Sequence, residues 1–296
     1  MPISLSDKTV VITGASSGIG AELAKIISKT GASVVICARR GELLAALADE
    51  IGAAGGQALP IEVDVSKPDQ AAAAVRTAIE RFGKIDVLVN NAGRGICASV
   101  EDTTPEQVES IFAVNAFALW YTVAAALPLM KARKSGHIVT VSSVVGSMGY
   151  PFCSAYVAAK HAAIGFHAAL RTELLETGVR ATLICPDGVN TPWSSVTEGG
   201  NYGSLFADGI RRSRIIAKER NIPLAPLSRM ISAAEAARII YEAIINEESP
   251  ADIYTHLGTH ERAVAAVRCR EDVEQSMLPA FLGVKEEYES RKHYEQ

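Results

Sequence analysis

At 296 residues and 31.3 kDa, the chain is too long for a minimal module and short for two full domains, so one large domain with an extension is expected. Apolar residues make up 48%, enough for a sizeable core, and charged residues only 21%, which excludes a disordered composition. Lys and Arg total 29 against 33 for Asp and Glu, a net charge of -4, so no basic excess exists to meet a nucleic-acid backbone.

The first residues lack a basic stretch followed by a leader-length apolar run, so no signal peptide is expected. Residues 10–13 are apolar, β-branched and stopped by glycine, the form of a buried parallel strand. A helical pattern over 19–30 ends at Gly31. Strands over 33–38, 58–63 and 85–89 alternate with helices over 43–51 and 70–82, the latter closed by Gly83. A long helix over 105–134, a strand over 137–141, a helix over 156–176 and a strand over 179–185 continue the rhythm. Such alternation with short connections is the sequence form of a doubly wound α/β sheet. Residues 192–226 break it; a glycine-containing connection of that length reads as a substrate lid. A helix over 233–245, an edge strand over 252–256 and an amphipathic helix over 259–276 follow, and the charged segment 285–296 is expected to fray. The expected division is a Rossmann-type domain over 1–258, including the lid, and a helical extension over 259–296.

Five cysteines stand at wide spacings with no C-x-x-C, which fits neither a disulfide framework nor a metal site and suits a reducing, cytoplasmic location. No apolar run reaches the ~18 residues of a membrane span; the longest, 111–130, is interrupted by Asn115 and Pro128.

Thr13-Gly14-Ala15-Ser16-Ser17-Gly18-Ile19-Gly20 lies between the first strand and the first helix. Its glycines let the backbone approach a pyrophosphate, and the helix N-terminus offers unpaired N–H groups with a partial positive charge. Such a turn also simply closes strand–helix connections; its place between strand and helix points to a nucleotide. The spacing is G-x-x-x-G-x-G rather than G-x-G-x-x-G.

This turn, together with Asn90-Asn91-Ala92-Gly93 and Tyr156-x-x-x-Lys160, resembles the short-chain dehydrogenase/reductase family over about residues 5–255. The resemblance implies a Rossmann fold with a seven-stranded parallel sheet in the order 3-2-1-4-5-6-7 and a nicotinamide cofactor. It implies that Gly14, Ser16, Ser17, Gly18, Ile19 and Gly20 meet the cofactor's phosphates, and that Asn91, Ala92 and Gly93 lie beside it. Asp64 would accept from the adenine amino group and Val65 would supply backbone contacts; a helix N-cap is the competing reading of Asp64.

The second strand ends Cys37-Ala38-Arg39-Arg40, without the acidic residue that would bind a ribose 2′-hydroxyl. Two guanidinium groups suit a 2′-phosphate. NADP(H) is therefore expected over NAD(H), with Arg39 as main contact and Arg40 stacked on or flanking the adenine. A solvated basic turn is the bland alternative. Some NADP-preferring relatives carry a basic residue before the second glycine, where this chain has Ser17.

Tyr156 and Lys160 share one helix face. A phenol with an ordinary pKa of ~10 is a poor base at neutral pH. An ammonium ~4 Å away attracts a phenolate by about 4 kcal/mol at an effective dielectric near 20, so a lowered Tyr156 pKa is expected. Tyr156 can then exchange a proton with a carbonyl or alcohol oxygen, and Lys160 can hold the nicotinamide ribose. Ser143, thirteen residues before Tyr156 as in relatives, would hydrogen-bond the substrate oxygen, while Ser142 holds the loop. By resemblance, Asn115 kinks the long helix and holds a water linking Lys160 to solvent; an ordinary buried amide is the alternative.

After the sixth strand, Pro186, Val189 and Thr191 match positions that meet the carboxamide and phosphates in relatives. Asp187 replaces a usual glycine; it either favours a hydroxylated or cationic substrate or turns to solvent. Val145, Phe152 and Trp193, with Arg94, Tyr202, Leu205 and Phe206, are candidate pocket walls, and Ser143, Tyr156 and Asp187 would also touch substrate. Their character suggests a medium-sized, mainly apolar carbonyl compound. The expected activity is NADPH-dependent hydride transfer between the nicotinamide and a carbonyl or secondary alcohol, in a homodimer or homotetramer with no metal. A non-catalytic NADP(H)-binding sensor or scaffold is the alternative, and an epimerase or dehydratase a third; Ser143, Tyr156, Lys160 and Asn115 together speak against a pure binder.

Overall fold

Thr9–Thr13 forms β1 and is buried along its whole length, which an apolar strand achieves only when both faces of its sheet are covered. The structure is a computed structural model and describes residues 2–200, 202–225 and 227–294. In chain order, β1 is followed by α1 (Gly18–Ser28), β2 (Ser33–Ala38), α2 (Gly41–Ala53), β3 (Gln57–Glu62), α3 (Pro68–Phe82) and β4 (Val87–Asn90). Then come α4 (Pro105–Phe112), a π-helical turn (Ala113–Phe117), α5 (Ala118–Arg133), β5 (Gly136–Val141), α6 (Ser154–Glu173) and β6 (Val179–Cys185). The last third holds β7 (Val189–Asn190), α7 (Tyr202–Arg220), β8 (Ile231–Ser232), α8 (Ala233–Ile245), β9 (Asp252–Tyr254), α9 (Thr259–Arg268) and α10 (Arg270–Tyr294).

Seven strands form one parallel sheet in the order β3-β2-β1-β4-β5-β6-β9, the expected Rossmann topology, with β9 as its seventh strand. A second parallel pair, β7 with β8, is spliced in between β6 and β9. Residues alternate between the two faces of each strand. Val10, Ile12, Val34 and Ile36 therefore meet Leu23, Ile27, Ile240 and Ile244 on one side, while Val11, Val35, Leu88 and Ile138 meet Val75, Met130 and Leu170 on the other. Pro60 lies in β3 at the sheet edge, where a missing N–H costs no ladder bond. Thr104 and Gln107 form a reciprocal capping box with Pro105 at the first helical position, which fixes where α4 starts.

Three expectations are corrected. The connection over 192–226 is not a bare lid: it contains a short 3₁₀ turn, Pro192–Val196, and the nineteen-residue helix α7. The charged end does not fray where it is described, because α10 runs to Tyr294 and packs along α7. Arg212 pairs with Glu287 at 2.7 Å, Arg291 with Asp208 and Glu287, and Lys292 with Asp102 at 2.5 Å. The two helices cross at Gly209 and Gly283; a Cβ on Gly283 would fall 2.1 Å from the Gly209 carbonyl oxygen. Finally, the helical run Pro105–Arg133 holds an 18-residue stretch long and apolar enough to cross a membrane. Here it packs on the sheet, and its Thr122 hydroxyl donates to Asn90 at the end of β4. Residues 295–296, at the far end of the segment expected to fray, lie outside the described residues.

Candidate active site

The carboxyl ends of β1, β2, β4, β5 and β6 open into one cleft of about 780 Å³. Its first wall is the turn between β1 and α1. Gly14 has φ +67°, and a Cβ there would fall 2.7 Å from Ala92 Cα; a Cβ on Gly20 would fall 2.6 Å from both Asn91 Nδ2 and the Gly14 oxygen. The turn is thus pressed against the end of β4 so tightly that side chains are excluded. Asn91 Nδ2 donates to the carbonyls of Thr13 (3.0 Å) and Gly14 (3.2 Å), and Thr13 Oγ1 accepts from the N–H groups of Asn91 and Ala92, both at 3.0 Å. Ser17 at the N-cap of α1 makes no side-chain capping bond among the described residues, and the helix begins on the cleft wall with Gly18 and Ile19, so its N-terminal dipole faces the cleft. Gly14, Ser16, Ser17, Gly18 and Ile19 line the cleft. Gly20 does not: it is buried behind the turn and acts on helix packing instead.

Arg39 and Arg40 follow β2 at the far end of the cleft, both exposed. Arg40 donates to Ser16 Oγ at 2.9 Å and Ser17 Oγ at 2.6 Å, so in this structure it braces the glycine turn rather than an adenine-flanking position. Arg39 has no hydrogen-bond or ion-pair partner among the described residues. Asp64 is not a helix N-cap. Lys67 occupies that position, and Asp64 Oδ1 instead accepts from Ser66 N (3.0 Å) and Ser66 Oγ (2.7 Å), a local turn that holds it beside Val65 on the cleft wall.

At the other end of the cleft, β5 delivers Ser142 and Ser143, and α6 delivers Tyr156 and Lys160. Ser142 Oγ donates to the Lys160 carbonyl at 3.1 Å, tying the strand end to the helix, and Lys160 Nζ donates to the Val141 carbonyl at 3.0 Å. Ser143 Oγ hydrogen-bonds the phenol of Tyr156 and donates to the Pro186 carbonyl at 3.4 Å. Lys160 Nζ lies 5.7 Å from the Tyr156 ring centroid. Trp193 packs against that ring at 5.2 Å, a roof from the 3₁₀ turn.

The expected depression of the Tyr156 pKa is not what the protein groups produce. Burial raises it above its ordinary value, and the Ser143 hydrogen bond only partly opposes this. Burial also lowers Lys160 to about 8. Desolvation of a group with no fully opposed charge outweighs an ammonium at this distance.

Asn115 lies outside the cleft wall, in the π-helical turn that bends the run between α4 and α5. Its Nδ2 donates to the carbonyls of Arg94 and Ile111, both at 2.9 Å, while its buried Oδ1 has no partner among the described residues. A Cβ on Gly93 would fall 2.7 Å from that oxygen and 3.5 Å from Lys160 Nζ, so Gly93 is the gap between them.

Among the expected walls, Arg94, Val145, Trp193 and Phe206 line the cleft, as do Pro186, Val189 and Thr191. Phe152 does not; it stacks on Tyr288 of α10 at 4.0 Å. Leu205 is buried beneath it with Val284. The Tyr202 side chain lies outside the described residues. Asp187 is on the wall but turns neither to substrate nor to solvent: Arg262 of α9 donates to its Oδ2 at 2.8 Å. Sequence reading missed Tyr150, a half-buried cleft residue wedged between Phe206 (5.8 Å) and Phe281 (5.5 Å), because no motif marks it.

The sequence profile described as short chain dehydrogenase matches residues 8–199. The chain is 35% identical over 244 residues to the dehydrogenase/reductase SDR family member 7B of Mus musculus, covering 81% of this chain and 71% of that one. A metagenomic short-chain oxidoreductase solved with NADP superposes with a TM-score of 0.68 at 30% identity, over 85% of this chain and 97% of that chain. A short chain dehydrogenase/reductase of Burkholderia phymatum solved with NAD gives 0.74 at 26%, over 91% and 95%. The glycine turn closed on β4, the β5 serines facing Tyr156 and Lys160 across one cleft, and these matches along the chain place it in the short-chain dehydrogenase/reductase family of oxidoreductases.

Proposed function

We propose that the protein is an NADP(H)-dependent oxidoreductase that reduces a carbonyl, or oxidises the matching secondary alcohol, of a medium-sized and mainly apolar substrate. The observation that carries this reading is the joining, in one cleft, of a phosphate-fitting helix terminus and the Ser143–Tyr156–Lys160 set. When bound, the cofactor supplies or accepts the hydride. The uncapped α1 terminus with Gly14, Ser16, Ser17, Gly18 and Ile19 would hold its phosphates, with Asp64, Val65, Asn91, Ala92, Gly93, Pro186, Val189 and Thr191 along its length. NADP(H) is favoured because Arg39 offers an exposed fork of donors at the end of β2, a strand that itself ends without an acidic residue. The similar solved structures hold NADP in one case and NAD in another, so the choice rests on this residue.

Ser143 orients the substrate oxygen, and Tyr156 exchanges a proton with it. A phenol raised by burial stays protonated, so Tyr156 is in the form that donates a proton when a carbonyl is reduced. Lys160 would hold the nicotinamide ribose. Asn115 Oδ1, buried and without a partner among the described residues, faces Lys160 across Gly93 and would bind the water that resupplies the proton. Val145, Tyr150, Trp193, Val196, Phe206 and Met230 give the substrate end its apolar walls. Assembly as a homo-oligomer and a cytoplasmic location belong to the same proposal.

The test is absorbance of reduced nicotinamide against a panel of ketones and aldehydes, with NADPH and NADH compared. NADPH is expected to give the higher kcat/KM, and Arg39→Asp to reverse the order. Equal use of the two cofactors by the native protein would refute the preference. Tyr156→Phe is expected to lower kcat by about a thousandfold, within the range for a lost general acid, while leaving the NADPH Kd within a fewfold. Retained turnover would remove Tyr156 from the chemistry.

A further inference from the structure

Asp187 leaves β6 on the cleft wall, and its carboxylate is met by an arginine from the far end of the chain. Arg262 Nη2 lies 2.8 Å from Asp187 Oδ2, with side chains only 21% and 16% exposed. The same nitrogen donates to Ser228 Oγ at 2.8 Å and Thr259 Oγ1 at 3.2 Å. Thr259, fully buried, also reaches Asp187 Oδ2 at 3.4 Å, and the Asp187 N–H donates to Thr255 Oγ1 at 3.3 Å. Arg262 thus knots three segments: the end of β6, the approach to β8, and α9.

All of this borders the reacting end of the cleft. The Pro186 carbonyl, one residue before Asp187, accepts from Ser143 Oγ at 3.4 Å and from Val144 N at 2.8 Å. The Gly188 carbonyl, one residue after, accepts from Ile231 N at 3.0 Å where β7 and β8 pair. Loop 186–190 is therefore pinned on both sides of the Asp187–Arg262 pair. A partly buried pair of this kind is screened little by salt, and removing one partner leaves a desolvated charge.

We propose that Arg262 is a positioning residue for the reaction. It neutralises and holds Asp187, and through that loop it fixes Ser143 and the wall beside which the nicotinamide would lie. The C-terminal extension is then part of the active site's frame. This inference rests on the oxidoreductase reading above.

The experiment is a double-mutant cycle of Arg262→Met, Asp187→Asn and the pair, with Arg262→Lys alongside. It reads NADPH Kd by fluorescence titration, kcat and KM separately, and the thermal midpoint. Arg262→Met is expected to weaken NADPH binding and lower kcat/KM by about tenfold each, the scale of a coupled charge pair. kcat should fall as well as KM rise, because Ser143 is displaced. Arg262→Lys should recover part of the loss, since an ammonium still carries the charge but ends one bond short of the Nη2 that meets Asp187, Ser228 and Thr259. In the Asp187→Asn background, Arg262→Met should add clearly less than it costs the native chain, since only the Ser228 and Thr259 bonds remain to be lost. A native Kd and kcat/KM in Arg262→Met would overturn the proposal, as would an equal further loss in the Asp187→Asn background. Should Arg262→Met not fold, Arg262→Lys and Asp187→Asn close the same cycle. A wild-type protein that binds neither NADPH nor NADH defeats the oxidoreductase reading and this one with it; wild-type turnover with a silent Arg262 defeats this one alone.

Discussion

Two histidines show how single residues set the response of this fold to pH. His137 Nδ1 accepts from Arg180 Nη2 at 3.0 Å, so its Nε2–H points to Thr182 Oγ1 at 2.9 Å, and the ring is neutral. Burial lowers it to about 3, with the Arg180 charge adding to the effect. His167 is fully buried against Thr140 and lowered to about 4, again chiefly by burial. Above the ordinary value of 6.5, folded and unfolded chains both hold neutral rings. Below it, the unfolded chain takes up protons that the folded chain refuses, so stability is lost as pH falls from 6.5 toward 4. Each ring costs about 2 kcal/mol by about pH 5. Urea midpoints are expected to drop over that range, and His167→Gln to flatten the slope; an unchanged midpoint at about pH 5 contradicts the account.

At the scale of elements, the α7–α10 crossing decides the shape of the substrate end. The helices touch backbone to backbone at Gly209 and Gly283, with ion pairs of Arg212, Glu287, Arg291 and Asp208 alongside. Gly283→Ala would push a methyl group into the Gly209 carbonyl, an overpacking expected to cost about 1–3 kcal/mol. Because α7 carries Phe206 and α10 carries Phe281, the two aromatics that hold Tyr150, the same change is expected to raise substrate KM more than NADPH Kd. Kinetics and fluorescence titration on one preparation separate the two. Thr104→Ala removes the capping box of α4 and is expected to cost about 1 kcal/mol in urea unfolding and leave KM unchanged.

The whole molecule divides its labour between two ends of one cleft. In the proposed function the half built by β1 to β4 would meet the dinucleotide, through groups local to the strand ends. The other half is closed by α7, α9 and α10, whose Val273, Met277 and Ala280 cover Val144 and Met148 beside Ser143. Removing residues 270–296 is expected to expose that apolar face, seen as increased binding of an apolar dye and a lower unfolding midpoint. NADPH binding at the glycine turn should persist within a fewfold while turnover is lost.

The sequence by itself determined the alternation of strands and helices and the place of the glycine turn; the order of the sheet and the meeting of Ser143, Tyr156 and Lys160 with that turn were implied by the family resemblance those motifs carry. The alternation and the motifs depend on local signals: β-branched runs, a strand–glycine–helix junction, and two groups four residues apart on one helix. The break at Asn115, where the long helical run passes through a π-helical turn, was implied by the same resemblance. Tertiary structure alone decided what Asp187, Phe152 and Arg40 do, because each is claimed by a partner remote in sequence: Arg262, Tyr288, and the serines at 16 and 17. It also decided the sign of the Tyr156 shift, since Lys160 four residues away is visible in the sequence but the burial that overrides it is not. Pairings across 75 or 136 residues leave no periodicity and no motif; they exist only once the extension has folded back over the sheet.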